Sequence, residues 1–184
     1  MKEPFYTGII LYPRFSEYEL SVLLSVLKQG GKQTVFLGLN SNPIYGEAGL
    51  PCIPESTINE FDRNLLDSVV LPGVDDFEHL VDHHDLFSFL HKIHDQNRII
   101  AAISSAPYLL SASGVLDEKR YTTGLTTEQR RFLGTFHEEN YVHSPVVVDD
   151  YLITAKGSAF IEFAFGVGDL LNLKYEKEWF FSNS

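Results

Sequence analysis

One stretch constrains this sequence more than any other, because a buried strand has to become a helix there within a few residues. From Arg98 to Leu110 it reads RIIAAISSAPYLL. Arg98–Ile103 is a short, nearly continuous apolar run, the pattern of a strand covered on both faces rather than one. Pro107 suits the first turn of a helix, where its missing N–H costs nothing. Ser104 and Ser105 occupy the junction. Ala102 and Ala106 stand two positions either side of Ser104, where a strand and a helix pass too closely for larger side chains. This is the geometry of a nucleophile elbow, which holds its central residue in a strained backbone at the mouth of a helix. Such an elbow needs parallel strands that feed helices, so the stretch sets an expectation for the whole chain.

The remaining sequence supports that expectation. Gly8–Tyr12 (GIILY) is a first apolar strand, and SEYELSVLLSVLKQGG behind it places Leu20, Leu23, Leu24 and Leu27 at helical spacing before a Gly30-Gly31 stop. Gln33–Leu39 is a second strand, and the turn-rich residues Asn40–Pro54 predict a loop or small hairpin. Ser68–Gly73 is a third strand. HDLFSFLHKIHDQN is an amphipathic helix, and SAPYLLSASGVL is a helix ending near Gly114. Val146–Val148 and Tyr151–Ala155 pair as a hairpin around Asp149-Asp150, and AFIEFAFGVGDLLNL closes the series as a helix. Strands alternating with helices predict an α/β three-layer sandwich with a mostly parallel sheet and right-handed crossovers. Sites in such sheets form at the carboxyl ends of the strands, here after Tyr12, at Gly73-Val74 and at Ser104.

Composition narrows the class of function. With 14 basic against 25 acidic residues the net charge is −11, which disfavours nucleic acid and anionic membrane surfaces as partners. No apolar run approaches the roughly 20 residues of a membrane span. The N-terminal MKEPFYTGIILYPRF lacks the long apolar region and small-residue cleavage site of a signal peptide. The single cysteine, Cys52, permits no internal disulfide. The expectation is a cytoplasmic protein. One domain over 1–173 is expected, followed by an aromatic-rich tail over 174–184.

The ordered motifs VVLPG, AAISSAPYLLSASGVLDEKRYTTG and VVVDDYLITAKGSAFIEFA resemble the ThiJ/PfpI (DJ-1-like) family of the class I glutamine-amidotransferase-like superfamily. The resemblance runs from GIILYPRFSEYEL to the last helix. It implies a flavodoxin-like sandwich, usually a homodimer, with a reactive cysteine at the elbow and a glutamate from the first strand–helix turn beside it. Family members are described as peptidases, glyoxalase or deglycase-type enzymes, chaperones, isocyanide hydratases and proteins without known activity. Carried over by position, the resemblance puts Ser104 where the family has its cysteine and Ser105 where one branch keeps a histidine. Gly124 stands where a second branch keeps its histidine. The family turn LPGG here reads LPGV, with Gly73 kept and Val74 at the second glycine. Glu19, in SEYEL, is the family feature retained.

The chemistry of those residues decides what they can do. A thiol ionises near neutral pH, whereas a serine hydroxyl needs a positioned general base. Glu19 is a poor match for an alkoxide. Two readings of Glu19 stand side by side: a pocket carboxylate, or the far member of a capping box in which Ser16 is the N-cap and Glu19 reaches back to it. Val74 keeps a backbone N–H, so an oxyanion contact survives if a β-branched residue tolerates the turn. The first functional expectation is therefore a protein binding or sensing a small carbonyl, acyl or amide metabolite at an elbow pocket formed by Ser104, Glu19, Gly73, Val74, Ser105 and Gly124. The second is a serine hydrolase or amidase with Ser104 as nucleophile, helped by Glu19 or His143. The third is a homodimeric chaperone.

Other constellations have quieter readings. His79, His83, His84 and His94 fall in or beside an acidic helix entry, and neither a metal nor a cofactor is expected. His137, in HEEN, reads as a surface-loop residue. Cys52 reads as a buried, inert thiol. Trp179, Phe180 and Phe181 are expected to pack back on the domain or on a second subunit.

Overall fold

The computed structural model describes residues 5–181. Residues 1–4 and 182–184, which fall at the ends of the expected domain and tail, lie outside the described residues. The chain runs β1 (Tyr6–Leu11), α1 (Glu17–Gln29), β2 (Gln33–Gly38), β3 (Ile44–Tyr45), β4 (Pro51–Cys52), β5 (Ser56–Thr57), β6 (Leu66–Leu71) and α2 (His84–Asp95). It continues through β7 (Ile99–Ile103), α3 (Pro107–Ala112), α4 (Thr127–Leu133), β8 (Val146–Asp149), β9 (Leu152–Ala155) and α5 (Phe160–Leu170).

A seven-stranded sheet has the order β5-β2-β1-β6-β7-β9-β8. Every pairing is parallel except β8 with β9, the hairpin expected around Asp149-Asp150. Asp150 makes that turn with a left-handed φ of 53°. From β1 the chain crosses by α1 to β2 on one side, and from β6 by α2 to β7 on the other. Right-handed crossovers then put α1 and α2 on opposite faces. α5 packs beside α1, and α3 beside α2. The central order reverses between β1 and β6, so a topological switch point opens there at the carboxyl ends of the strands. This is a flavodoxin-like α/β sandwich.

The core explains the apolar runs. Ile9, Ile10, Val69, Val70, Ile100 and Ala101 are fully buried because helices cover both faces of their strands. At roughly 25 cal/mol per Å² of apolar area, this burial is the main force holding the three layers together.

The structure departs from the sequence reading in places. β1 and β6 begin two residues early, and β1 stops at Leu11 rather than Tyr12. The segment Asn40–Pro54 does form the small hairpin expected there, the antiparallel pair β3–β4, while β5 adds a short edge strand that the reading did not include. α3 is only six residues long. α4 carries no apolar stripe and escaped the reading, although Thr126 and Gln129 form a capping box and Gly134, at φ 69°, ends it.

Candidate functional site

The site assembles from three strand ends. Behind β1, α1 carries Tyr18 and Glu19; behind β6 comes the turn Pro72–Val74; behind β7 comes Ser104. Ser104 has φ 64°, the strained left-handed conformation of an elbow, which costs a non-glycine residue roughly 1–2 kcal/mol. Three bonds over-determine it. Its N–H donates to the Ala155 carbonyl at 2.8 Å, and its carbonyl accepts from the Gly124 N–H (2.8 Å) and the Thr123 hydroxyl (2.7 Å).

Glu19 settles the choice between its two readings in favour of the pocket. Ser16 holds the N-cap position, but its hydroxyl donates to Glu47 Oε1 at 2.8 Å instead of capping. Glu19, 1% exposed, turns inward and accepts the Gly73 N–H on Oε2 at 2.6 Å. The physical reason is that Gly73 is buried, and an unpaired N–H there costs about 1–3 kcal/mol. Burial pushes the Glu19 carboxyl above its ordinary pKa, while the Gly73 N–H and the hydroxyls of Ser104 and Tyr18 pull in the opposite direction.

The turn at Pro72–Val74 has every backbone group engaged. The Pro72 carbonyl accepts the Tyr12 hydroxyl, and the Gly73 carbonyl accepts the Ser16 N–H at 2.8 Å. The Val74 N–H donates to Ser105 Oγ at 3.0 Å, and the same hydroxyl donates back to the Val74 carbonyl at 2.8 Å. Val74 thus fits the turn, with its backbone outside the left-handed region, but its N–H is not free for an oxyanion. Among the described residues, the Ser105 N–H next to the elbow makes no hydrogen bond.

A cavity of about 240 Å³ opens over Ser104, lined in part by Glu19, Gly73, Val74, Ser105 and Gly124, the residues the sequence brought forward. Tyr18, Glu47, Asp75 and Gln129 also line it, and sequence reasoning missed them. Gly157, behind β9, was missed as well: a Cβ there would lie 2.9 Å from both Glu19 Oε1 and Ser104 Oγ. Its signal was available, a glycine two residues past the end of an apolar strand. The lining holds the carboxylates of Glu19, Glu47 and Asp75, and no lysine, arginine or histidine.

The chain as a whole has relatives among known proteins. The model of the DJ-1/PfpI family matches residues 8–169. The chain belongs to the DJ-1/PfpI family. It is 27% identical over 169 residues to a protein of Caenorhabditis elegans named glutathione-independent glyoxalase DJR-1.2, covering 90% of this chain and 88% of that one. It is 26% identical over 168 residues to a Bacillus subtilis protein named uncharacterized protease YoaZ, covering 85% and 78%. The crystal structure of a cysteine-to-alanine mutant of a DJ-1 superfamily protein from Salmonella typhimurium superposes with a TM-score of 0.79 at 26% identity, covering 91% of this chain and 90% of that one.

The other candidates lie elsewhere in this DJ-1/PfpI fold. His143 is exposed beside the Tyr141 ring and does not line the elbow cavity. His137 is half-exposed and lies near Asp117 and Glu139. His83 caps α2 by accepting the Leu86 N–H on Nδ1, and with His79 it lines a separate cleft of about 380 Å³. His84 is exposed at the start of α2, and burial lowers the pKa of His94 near its end. No cluster of histidine, cysteine or carboxylate side chains able to hold a metal occurs among the described residues.

Cys52 is half-buried on β4 rather than fully enclosed, with its pKa pushed up by burial and by Glu17. The tail packs back on α5: the Tyr175 hydroxyl donates to the Phe165 carbonyl at 3.0 Å, and Phe180 meets the Phe165 ring edge-on. Trp179 faces outward at 76% exposure, and Phe181, although it touches the Phe165 ring, is 55% exposed. No helix among the described residues is long and apolar enough to cross a membrane.

Proposed function

We propose that the protein binds a small metabolite at the elbow and does not use Ser104 as a nucleophile. The observation that carries this reading is the surroundings of the Ser104 hydroxyl. A buried carboxylate faces it, and no imidazole lines its cavity. A carboxylate, even with its pKa raised by burial, is poorly matched to a hydroxyl as general base. Family resemblance places a cysteine at position 104 and a histidine at 105 or 124. Here Ser105 spends its hydroxyl on closing the Val74 turn, and Gly124 brings no side chain. The carboxylates around the cavity disfavour an anionic ligand, so a neutral or cationic carbonyl, amide or amine fits best.

The test is intact mass after exposure to a fluorophosphonate probe, wild type against Ser104→Ala. The expected result is no adduct on either. A stoichiometric adduct on wild type, absent from Ser104→Ala, overturns the binding reading. The serine hydrolase reading keeps one supporting observation, the unengaged Ser105 N–H beside the strained elbow, where a hydrolase would place an oxyanion donor. The names of the C. elegans and B. subtilis relatives, one a glyoxalase and one a protease, also keep an enzyme in view.

A cytoplasmic location and a second copy of the chain as partner are parts of the same proposal. A groove of about 570 Å³ between α1 and the β3–β4 hairpin is lined by Leu20, Leu24, Phe36, Leu50 and Cys52, and Ile53 beside it is 76% exposed. The expected result in sedimentation velocity is a dimer that Leu24→Glu converts to a monomer. A wild-type monomer at all concentrations overturns the dimer and, with it, the homodimeric chaperone.

A further inference from the structure

Tyr12 lies one residue past β1, fully enclosed, and donates its hydroxyl to the Pro72 carbonyl. That carbonyl belongs to the same peptide unit as the Gly73 N–H, which donates to Glu19 Oε2. One planar peptide is therefore held at both ends, by a phenol on its oxygen and a carboxylate on its N–H. Because the unit is rigid, fixing its oxygen fixes the direction of its N–H. Because hydrogen bonds in series polarise one another, donation to the oxygen strengthens the donor at the nitrogen. We propose that Tyr12 is a positioning residue of the elbow, which by gripping the Pro72 carbonyl sets how the Gly73 N–H holds Glu19 against Ser104.

The surroundings support this role. Burial and the neighbouring Glu19 charge keep the Tyr12 phenol protonated well beyond neutral pH, so it remains a donor. The groups facing Glu19 are Tyr12 from behind β1, Tyr18 on its own helix, the Gly73 N–H, Ser104 at the elbow, and Glu47 on the β3–β4 loop. Glu47 opposes ionisation of Glu19, and the hydroxyls of Ser104 and Tyr18 favour it. Tyr12 does not line the cavity, and its hydroxyl is spent on the Pro72 carbonyl rather than on Glu19 itself. A change at Tyr12 that reaches Glu19 is therefore a signature that packing alone does not produce.

The experiment follows the carboxyl carbon of Glu19 by NMR against pH, its resonance identified by its loss in Glu19→Gln. In Tyr12→Phe the peptide keeps its place but loses its polarising donor, and the Glu19 midpoint is expected to rise by about half a pH unit. A folded Tyr12→Phe protein whose Glu19 midpoint does not move overturns the proposal, even if its thermal stability falls. Should Tyr12→Phe not fold, 3-fluorotyrosine at position 12 replaces it. As a stronger donor it is expected to lower the midpoint, and an unmoved or raised midpoint overturns the proposal. The inference rests on the elbow being the working site, but the titration needs no ligand. A flat titration defeats the role of Tyr12 and leaves metabolite binding intact, whereas failure to find a ligand defeats the site reading and leaves the titration as it stands.

Discussion

Glu138→Ala is expected to lower the stability of the protein by about 3 kcal/mol, the lower end of the cost of leaving one partner of a buried ion pair alone. Arg130 is 3% exposed, although it lies on the solvent-facing helix α4. Its guanidinium donates from Nε to Glu138 Oε1 at 2.7 Å, from Nη2 to Oε2 at 2.9 Å, and from Nη1 to the Leu125 carbonyl at 2.8 Å. It also lies 3.9 Å from the centre of the Tyr141 ring. Removing Glu138 leaves a largely buried cation that cannot titrate away and keeps only the Leu125 carbonyl and the Thr127 hydroxyl as hydrogen-bond partners. The lower end of the range applies because the Glu138 side chain is 35% exposed and part of its attraction is screened.

The pH dependence follows from the same pair. The hydrogen bonds from Arg130 hold the Glu138 carboxyl below its ordinary pKa, so the folded protein binds its proton more weakly than the unfolded chain does. The stabilisation is complete above the unfolded value of about 4.3 and is lost as pH falls through the lower folded value. Urea unfolding at pH 7 and pH 3 checks this. The gap between wild type and Glu138→Ala is expected to be widest at pH 7 and to narrow at pH 3. A gap independent of pH would show that the carboxylate charge contributes nothing. The consequence reaches the elbow, because Leu125 and Gln129 form one wall of its cavity.

Which parts of this molecule could be read from sequence follows from the range of the forces involved. The strands were legible because burial on both faces leaves a local mark, an apolar run such as Ile99–Ile103. The elbow was legible because strain at Ser104 demands small neighbours only two residues away. Glu19 was undecidable, because a capping box and an inward-facing carboxylate share the same spacing from Ser16. The group that decides it, the Gly73 N–H, is 54 residues distant in the chain. Helix α4 was invisible for a different reason: its buried residue is an arginine, and its two large apolar side chains, Phe132 and Leu133, are adjacent at its end rather than at helical spacing, with Phe132 90% exposed. A helix held by an ion pair and a capping box leaves no hydrophobic period. Tyr18 and Glu47 reach the site by the crossing of separate segments, which no local pattern encodes, whereas Gly157 left a local mark just past the end of β9.

Gly157→Ala is expected to damage the elbow, and Gly124→Ala to spare it, although both glycines stand beside Ser104. A Cβ on Gly157 would lie 2.9 Å from both Glu19 Oε1 and Ser104 Oγ, closer than carbon tolerates, and 3.1 Å from the Tyr18 hydroxyl, a tight contact. Tyr18 is 48% exposed and has room to swing aside, but the Glu19 carboxylate is buried and tied to the Gly73 N–H and cannot yield without losing that bond. Forcing Glu19 and Ser104 apart is overpacking, with an expected cost of about 2 kcal/mol. A Cβ on Gly124 would meet the Ser104 backbone at 3.4 Å, an ordinary contact. Its φ is outside the left-handed region, so alanine there is expected to change stability by less than about 0.5 kcal/mol or to raise it slightly. Denaturant midpoints of the two variants make the comparison. A second readout is iodoacetamide alkylation in a Ser104→Cys, Cys52→Ala background, which reports the space around the elbow hydroxyl's position. It should slow markedly with Gly157→Ala and hold steady with Gly124→Ala. Equal losses in both variants would mean that the two walls of the cavity are equally tight. The contact between Glu19 and Ser104 would then not be what Gly157 is there to admit.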